Sequence, residues 1–158
     1  MIRQRLGKDL LFFDGGMGTL LQEKGLAPGE LPETWNLTHS EEIYKIHRQY
    51  IEAGSDIILT NTFGANALKF HDDSCSLEEI IKAAVSHVKK AEREALLQTG
   101  DERKIYTALD VGPTGKLLKP MGDLEFETAY EAFKEVVILG EQAGADLIHI
   151  ETMSDTYE

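Results

Sequence analysis

The stretch EAGSDII at residues 52–58 is almost repeated as QAGADLI at residues 142–148, ninety positions further along the chain. Each copy has the form of a helix end, a glycine turn and the start of a buried strand. The offset corresponds to two successive strand–helix units of about 45 residues each. The repeat therefore predicts a chain in which β-strands and α-helices alternate regularly.

Four polar residues follow the predicted strands at a similar interval. Asp14 follows LLFF, Asn61 follows IILT, Asp110 follows YTAL and Glu151 follows IHI, at intervals of 47, 49 and 41 residues. In parallel α/β folds the carboxyl ends of the strands face the ligand. We therefore expect these four side chains to lie on one rim of a ligand-binding site.

Apolar runs and helix signals place the expected elements along the chain. Parallel strands are predicted at residues 9–14, 56–60, 104–109 and 146–150. Capping-box patterns predict helix starts at Thr38 and Ser76, and these helices are expected to end near Gly54 and before Gly100 and Asp101. A further helix carries apolar residues at helical spacing, namely Phe126, Tyr130, Phe133 and Val137.

Parallel strands with intervening helices allow two folds, an open doubly wound sheet or part of a (βα)8 barrel. If the rim residues face inward, so do the residues two positions earlier, which are Phe12, Leu59, Ala108 and His149. Polar groups above bulky residues match the layering inside a barrel. We therefore expect an α/β fold in which residues 1–158 form the N-terminal half of a (βα)8 TIM-type barrel, with four parallel strands and truncated after the fourth.

Composition and charge argue against several classes of protein. The chain is 42% hydrophobic and 28% charged, which is typical of a globular domain. Its net charge of −12 argues against a nucleic-acid partner, and no apolar run approaches the roughly 20 residues of a membrane span. The single cysteine, Cys75, cannot form an internal disulfide, which favours a cytoplasmic location.

Each predicted strand end is followed by a loop with ligand-binding chemistry. DGGMGT at residues 14–19 combines a carboxylate with glycines whose backbone N–H groups can approach an anion. NTFGAN at 61–66 and DVGPTG at 110–115 add amide, hydroxyl and aromatic groups. Glu151 begins ETMSDT, and a carboxylate on an inward rim needs a cationic partner such as a ligand ammonium. Taken singly, each loop is explained by an ordinary turn or, for Glu151, by a salt bridge. The convergence of all four loops on one rim favours a ligand-binding site.

The histidines show no metal-ligand spacing with Cys75 or with one another. Four of them are expected on the surface or on helix faces, namely His39, His47, His71 and His87. His149 is expected to pack inside the barrel below Glu151. Cys75 has no neighbouring basic residue to lower its pKa, so it is not a candidate nucleophile.

Taken in order, these motifs resemble those of a known family. DGGMGT, HRQYIEAGSDIILTNTFGAN, DVGPTG and GADLIHIETMSDT are similar in kind and order to the homocysteine S-methyltransferase domain, in the form found at the N-terminus of cobalamin-dependent methionine synthase. The likeness covers nearly the whole chain. Relatives that use betaine or S-methylmethionine share the barrel, but NTF, GPT and ETxxDT look more like the cobalamin-dependent branch.

The resemblance implies a barrel that binds L-homocysteine, activates its thiol on zinc and transfers a methyl group to the sulfur, giving methionine. By the match of motifs, Asp14 would be the catalytic residue near the sulfur, and Glu151 would hold the ammonium. The amino-acid carboxylate would lie near Gly15, Gly16 and Thr19. The remaining substrate-binding residues would be Asn61, Thr62, Phe63 and Asp110.

One departure from the family concerns the metal. The family holds its zinc with three cysteine thiolates from later strands, and this chain contains only Cys75. We therefore expect the zinc ligands outside residues 1–158, and cobalamin and methyltetrahydrofolate on other domains. The expected partners are the C-terminal half of the barrel and a cobalamin domain, and the chain alone is expected to be inactive. A half-barrel exposes unpaired edges and apolar surface, so self-association is also expected.

Two other functions remain open from the residues alone. A different barrel enzyme, such as an aldolase or decarboxylase, would be favoured by a lysine at a strand end, whereas Lys104 begins a predicted strand and Lys116 and Lys119 lie in a loop. A non-catalytic half-barrel that binds an amino acid or a partner protein is the second alternative.

Overall fold

Helices and parallel strands alternate in the computed structural model, which describes residues 2–70, 74–100 and 103–158. The helices are α1 (Gly18–Glu23), α2 (Trp35–Thr38), α3 (Ser40–Ala53), α4 (Leu77–Thr99) and α5 (Phe126–Ala143). The strands are β1 (Ile57–Leu59), β2 (Tyr106–Val111) and β3 (Leu147–Ile150), and short 3-10 helices lie at Ile2–Gln4 and Pro32–Thr34. His71 and Asp101, for which the sequence makes predictions, lie outside the described residues.

The three strands form one parallel sheet in the order β1, β2, β3. In its register Leu59 pairs with Ala108, and Leu109 pairs with Ile148. A doubly wound sheet reverses its strand order at a switch point, whereas the strands described here follow the chain without reversal. The predicted α/β class with parallel strands is therefore confirmed, and the strand order is that of a barrel.

The segment predicted as the first strand does not form one. It makes a single parallel bridge, between Phe13 and Ile57. One position further on, the amide of Leu59 donates to both carboxylate oxygens of Asp14, at 3.1 and 3.2 Å, instead of to a backbone carbonyl. The prediction of four strands is wrong for the described residues, which form three. The ladder stops because the Asp14 side chain, and not its backbone carbonyl, accepts the next hydrogen bond, from Leu59.

The inner face of the sheet matches the predicted layering in part. Leu59 and Ala108 lie in one apolar cluster on this face. Phe12, which was also expected to face inward, is 55% exposed. Its neighbour Phe13 takes the inner place, with its ring centroid 5.1 Å from that of His149. The alternation expected for residues 9–14 fails because they do not follow a regular strand.

The repeated stretches occupy equivalent places in the fold. Gly54 and Gly144 end α3 and α5 in the left-handed conformation, with φ of 113° and 95°. Asp56 then accepts a hydrogen bond from a backbone amide of the preceding segment at 3.1 Å, and Asp146 does the same at 2.9 Å. Each aspartate ties the start of its strand to the neighbouring segment. The repeated architecture predicted from the sequence is therefore confirmed.

The two predicted capping boxes have different outcomes. At the start of α4, the Ser76 hydroxyl accepts from the Glu79 amide at 3.2 Å, and the Glu79 carboxylate accepts from the Ser76 amide at 2.8 Å. The box at Thr38 is wrong, because α3 begins at Ser40. The Thr38 hydroxyl instead donates to the carbonyl of Thr34 at 3.1 Å, within the preceding short helix.

The core lies between one face of the sheet and the helices α3, α4 and α5. Ile58 of β1 lies in a cluster with Val88 of α4. Leu109 of β2 lies in a second cluster with Ile81 of α4 and Val136 of α5. Burial of each such side chain stabilises the fold by about 1.5–3 kcal/mol. The helices therefore anchor this face and leave the carboxyl ends of the strands open.

Helix α5 packs mainly through small residues, and only part of its predicted apolar face contributes. Phe126 and Tyr130 are 51% and 55% exposed, whereas Phe133 is half-buried and packs against two core clusters. The buried residues of the helix are Ala129, Ala132, Val136 and Gly140. A Cβ atom at Gly140 would lie 2.3 Å from a methyl carbon of Leu109, so glycine is needed for the helix to approach β2 this closely.

Of the described histidines that were predicted on the surface or on helix faces, one departs from that prediction. His39 stacks on Trp35 with ring centroids 4.0 Å apart, and His87 is half-buried beside the carbonyl of Asn36 at 2.7 Å. His47 is fully buried in α3, and burial lowers its pKa to about 3. Its expected surface position is therefore wrong, because α3 turns this residue into the core. No helix among the described residues is long and apolar enough to cross a membrane.

Candidate active site

A cavity of about 480 Å³ opens at the carboxyl ends of the strands. Seven of the nine predicted site residues line it, namely Asp14, Gly15, Gly16, Asn61, Phe63, Asp110 and Glu151. The other lining residues are Met17, Gly18, Pro32, Glu33, Leu59 and Thr60. Side chains separated by up to 137 positions in the sequence therefore meet at the rim that the strand ends predict.

The two remaining predicted residues lie beside the cavity and do not line it. Thr19 is exposed on the first turn of α1. Thr62 is 1% exposed, and its hydroxyl donates to the backbone carbonyl of Asp110 at 2.7 Å. Thr62 therefore connects the loop after β1 to strand β2. The ligand-binding roles of all nine residues stay predictions.

Asp14 enters the cavity from the segment beside β1. Its carboxylate accepts the hydrogen bond from the amide of Leu59, which holds it in place. Burial raises its pKa to about 7, although the Leu59 hydrogen bond acts in the opposite direction. A carboxyl group that titrates near neutral pH can exchange a proton with a ligand under physiological conditions.

The glycine loop after Asp14 packs against Tyr50 of α3. The Tyr50 hydroxyl donates to the carbonyl of Gly16 at 3.1 Å. A Cβ atom at Gly15 would lie 2.8 Å from the same hydroxyl oxygen, so this position has no room for a side chain. Within the described part of the chain, the amides of Gly15 and Gly16 donate to no protein acceptor. These two amides are suited to bind an anionic ligand group.

Asn61 is held by residues of an earlier loop. Its amide nitrogen donates to the carbonyl of Pro32 at 2.8 Å, and the amide of Asn36 donates to the carbonyl of Asn61 at 2.8 Å. Asn36 is 1% exposed and does not line the cavity. The side chain of Asn61 is therefore fixed by these neighbours before any ligand arrives.

Glu33 is a site residue that sequence reasoning missed. It lies in LAPGELPETWN at residues 26–36, whose prolines and glycine predict a surface loop, yet it is 3% exposed and lines the cavity. Its carboxylate accepts from the amide of Gly64 at 2.6 Å, where a Cβ atom would be only 2.7 Å from the carboxylate oxygen. The only signal in the sequence is an acidic residue directly after a proline, which is too common to identify a site.

Asp110 is the most buried of the rim carboxyls predicted from the sequence, with 6% exposure. Its amide donates to the hydroxyl of Thr60 at 3.2 Å. Burial, together with the negative charges of Glu151, Asp14 and Glu33, raises the pKa of its side chain to about 7. The carboxyls of the rim therefore repel one another and favour a bound proton or cation.

Glu151 and His149 come together at the end of β3. The His149 Nε2 atom lies 3.8 Å from the Glu151 Oε2 atom. Both side chains are half-buried. Of the residues that line the cavity in the described part of the chain, four are acidic and none is lysine, arginine or histidine. Among the described residues, this histidine contact is therefore the only ion pair that could account for Glu151 without a ligand.

The three-thiolate zinc site that the resemblance implies does not fit the residues present. The chain has one cysteine, and Cys75 is half-buried with the cluster between α4 and α5. It does not line the cavity. This chain cannot supply the family's thiolate ligands by itself.

Comparisons with known proteins agree with the fold and the motifs. Residues 11–158 match the family model described as homocysteine S-methyltransferase. Over 158 aligned residues the chain is 30% identical to methionine synthase of Mycobacterium leprae (strain TN). The alignment covers 96% of this chain and 13% of that protein.

Solved structures of the Escherichia coli homocysteine methyltransferase MmuM have the same fold. The oxidized form matches with a TM-score of 0.83 and 23% identity, over 99% of this chain and 57% of that one. The metallated form matches with a TM-score of 0.83 and 22% identity, over 58% of its length. The present chain thus spans little more than half of these structures and a smaller share of the synthase.

The parallel strands and intervening helices are therefore part of a barrel like that of these structures. The chain belongs to the homocysteine S-methyltransferase family.

Proposed function

We propose that the chain forms the homocysteine-binding part of a methyltransferase, which transfers a methyl group from methylcobalamin to the thiol of L-homocysteine and gives methionine. The observation that carries this proposal is the chemistry of the cavity. Four carboxyl side chains line it without a basic side chain among the described residues, and two unpaired backbone amides lie at its edge. An α-amino acid needs both a site for its ammonium and one for its carboxylate.

The proposed roles follow from the charges. Glu151 binds the ammonium group, because in the described part of the chain no lysine or arginine pairs with this carboxylate and only His149 lies near it. The amides of Gly15 and Gly16 bind the amino-acid carboxylate. Asn61 and Phe63 shape the cavity around the remaining part of the ligand.

Asp14 is the proposed proton acceptor near the sulfur. A free thiol has a pKa of about 8.5, and the Asp14 carboxyl, with a pKa of about 7, is close enough to accept its proton. The S–H bond breaks, the proton moves to the Asp14 carboxylate, and the sulfur keeps the electron pair that forms the new bond to the methyl carbon. Methylcobalamin held by another domain would supply the methyl group without its bonding electrons, so the electron pair of the broken Co–C bond would stay on the cobalt.

The zinc thiolates, the cobalamin domain and the methyltetrahydrofolate domain are proposed to lie in polypeptide outside these 158 residues. The single cysteine supports this, as does a match that covers only 13% of the related methionine synthase. The chain by itself is therefore proposed to be inactive, and the C-terminal half of the barrel is its proposed partner.

Calorimetry with L-homocysteine tests the proposal. The chain is titrated alone and after co-expression with a C-terminal barrel half that carries the three cysteines. We expect binding in the zinc-loaded complex, and the Glu151→Gln variant should bind about 10- to 100-fold more weakly, because a hydrogen bond to a charged group contributes about 1.5–3 kcal/mol.

The matched control is Glu141→Gln, which removes the same charge from the exposed surface of α5 and should leave binding unchanged. Lack of binding in a folded, zinc-loaded complex would reject homocysteine as the ligand. Equal affinity of the Glu151→Gln variant and the control would reject the role of Glu151.

A further inference from the structure

Three side chains at the rim form a cluster of groups that can bind a metal ion, and the proposed function gives them no such role. One ligand atom from each of Asp110, His149 and Glu151 lies within 4.8 Å of the other two. Asp110 and His149 are direct partners in the register of β2 and β3. Glu151 is two positions after His149, so both point to the same side of the sheet.

A second observation concerns the buried oxygen of Asp110. Within the described residues, the Oδ1 atom of Asp110 is buried and has no hydrogen-bond partner. The side chain is 6% exposed and lines the cavity. A buried carboxylate oxygen without a partner is costly, and proteins commonly satisfy such atoms with a water or an ion.

The imidazole of His149 is also held in a defined place. Its ring packs against the ring of Phe13, with centroids 5.1 Å apart and planes inclined by 48°. The Nε2 atom is on the side of Glu151, 3.8 Å from its carboxylate. The aromatic contact restrains the ring, so a ring nitrogen remains directed at the acidic rim.

The spacing of the three ligand atoms suits a first-row divalent cation. Bonds of about 2.0–2.2 Å to nitrogen and oxygen place neighbouring ligand atoms roughly 3–3.5 Å apart. The observed limit of 4.8 Å requires an inward movement of about 1 Å at the side-chain ends, which rotation of the half-buried Glu151 can provide. One imidazole and two carboxylates favour Mn²⁺ or Zn²⁺ over Ca²⁺, which prefers oxygen ligands alone.

We propose that Asp110, His149 and Glu151 form a divalent-cation site, occupied by Mn²⁺ or Zn²⁺. It is separate from the three-thiolate zinc site of the family, since it contains no cysteine. The proposal does not depend on homocysteine being the substrate. Because Glu151 is also the proposed ammonium ligand, a cation at this site competes with any ligand whose ammonium binds there.

Manganese binding to the whole chain tests the proposal. Free Mn²⁺ is measured by electron paramagnetic resonance during a titration of the wild type and its variants. We expect one saturable site, weakened at least 10-fold in both His149→Gln and Asp110→Asn, because each substitution removes one ligand. Zn²⁺ is expected to displace the bound Mn²⁺.

Matched controls separate this site from the acidic surface. His39→Gln replaces a histidine that is stacked on Trp35, and Glu141→Gln removes an exposed carboxylate. Both variants should bind Mn²⁺ like the wild type. Circular dichroism checks that each variant folds, and His149→Gln carries the test if Asp110→Asn does not fold. Absence of saturable binding, or equal affinity in the two ligand variants and the controls, would overturn the site.

Competition with L-homocysteine separates the two proposals. A chain that binds Mn²⁺ at these residues but never binds homocysteine keeps the cation site and loses the proposed function. A complex that binds homocysteine while no variant changes Mn²⁺ affinity keeps the function and loses the site. If both ligands bind without competition, the cation is not on Glu151 and the proposed site is wrong.

Discussion

Two neighbouring strands of the sheet carry similar residues and differ in their surroundings. Leu109 of β2 and Ile148 of β3 are register partners, yet the first is 0% and the second 39% exposed. Two positions later, Val111 and Ile150 are also partners, with exposures of 5% and 66%. All four are large aliphatic residues on the same face of the sheet.

The difference lies in what covers each strand. Helix α5 approaches β2 closely through Gly140, and α4 contacts the same strand. Strand β3 has β2 on one side, and among the described residues no strand pairs with its other edge. The comparison teaches that burial here is set by the neighbouring element and not by the hydrophobicity of the residue. In the proposed complete barrel, further elements would cover β3.

The largest expected effect is the loss of a buried side chain from β2. Leu109→Ala should lower the free energy of unfolding by about 2–5 kcal/mol, because it leaves a cavity under α5. Ile148→Ala, on the adjoining strand, should cost under about 1 kcal/mol. Urea denaturation followed by circular dichroism measures both. Similar losses at the two positions would show that β3 is covered in solution and would break the comparison.

An intermediate effect on stability is expected from pH, because the pKa values of the carboxyls on the two strands are shifted in opposite directions. Burial, together with the charges of nearby acidic groups, raises the pKa of Asp110, at the end of β2, to about 7. For Asp146, just before β3, burial acts to raise the pKa, but the hydrogen bonds from the Lys89 ammonium and the Thr107 amide, with the positive charges of Lys89 and Lys104, together outweigh it and the pKa is lowered.

Between about pH 4 and pH 7, Asp110 therefore keeps its proton in the folded chain and has lost it in the unfolded chain. Stability from this group falls as pH rises through that window, by about 2–4 kcal/mol. The contribution of Asp146 is present above pH 4 and is lost as pH falls through its lowered pKa. Asp110→Asn should reduce the slope of the stability profile between pH 4 and pH 7, and Asp14, whose pKa is also about 7, accounts for the slope that remains. Asp146→Asn should change the profile below pH 4. Urea midpoints across pH measure this, and an unaltered profile for Asp110→Asn would contradict the assignment.

The smallest effect on stability is expected at Ile150 of β3. Here the exposed side chain should matter for self-association of the chain and not for its stability. Ile150→Lys should change the free energy of unfolding by no more than about 0.5 kcal/mol, because the side chain is largely exposed. It should reduce the proposed self-association, since exposed apolar patches and strand edges favour contacts between copies. Sedimentation velocity compares it with Gln142→Lys, an equal charge change on exposed α5. Equal association of the two variants would exclude β3 as the contact surface.

Much of the rim was predictable because it depends on local signals. Asp14, Asn61, Asp110 and Glu151 follow apolar strand runs at regular intervals, and all four line the cavity. Glu33 was not predictable, since it comes from a loop whose composition indicates a surface position. Its burial depends on the hydrogen bond from the Gly64 amide.

Part of the face of α5 and the first strand were predicted wrongly for related reasons. Aromatic spacing indicated a face through Phe126, Tyr130 and Phe133, of which only Phe133 packs against the core. The close approach to β2 buries Ala132 and Gly140 instead of the other two. Apolar residues 9–14 indicated a strand, but the Asp14 side chain takes the hydrogen bond from Leu59. In both cases a contact between distant residues overrides the local pattern.

The sequence by itself determined the alternation of strands and helices, the glycine turns at Gly54 and Gly144, and the family, because these depend on residue order and short-range periodicity. Tertiary structure alone decided which carboxyls are buried, which residues of α5 pack, and that His149 meets Asp110. These properties depend on distances between residues that are far apart in the chain. Periodicity within one segment carries no information about such distances, which are set when the strands pair and the helices pack.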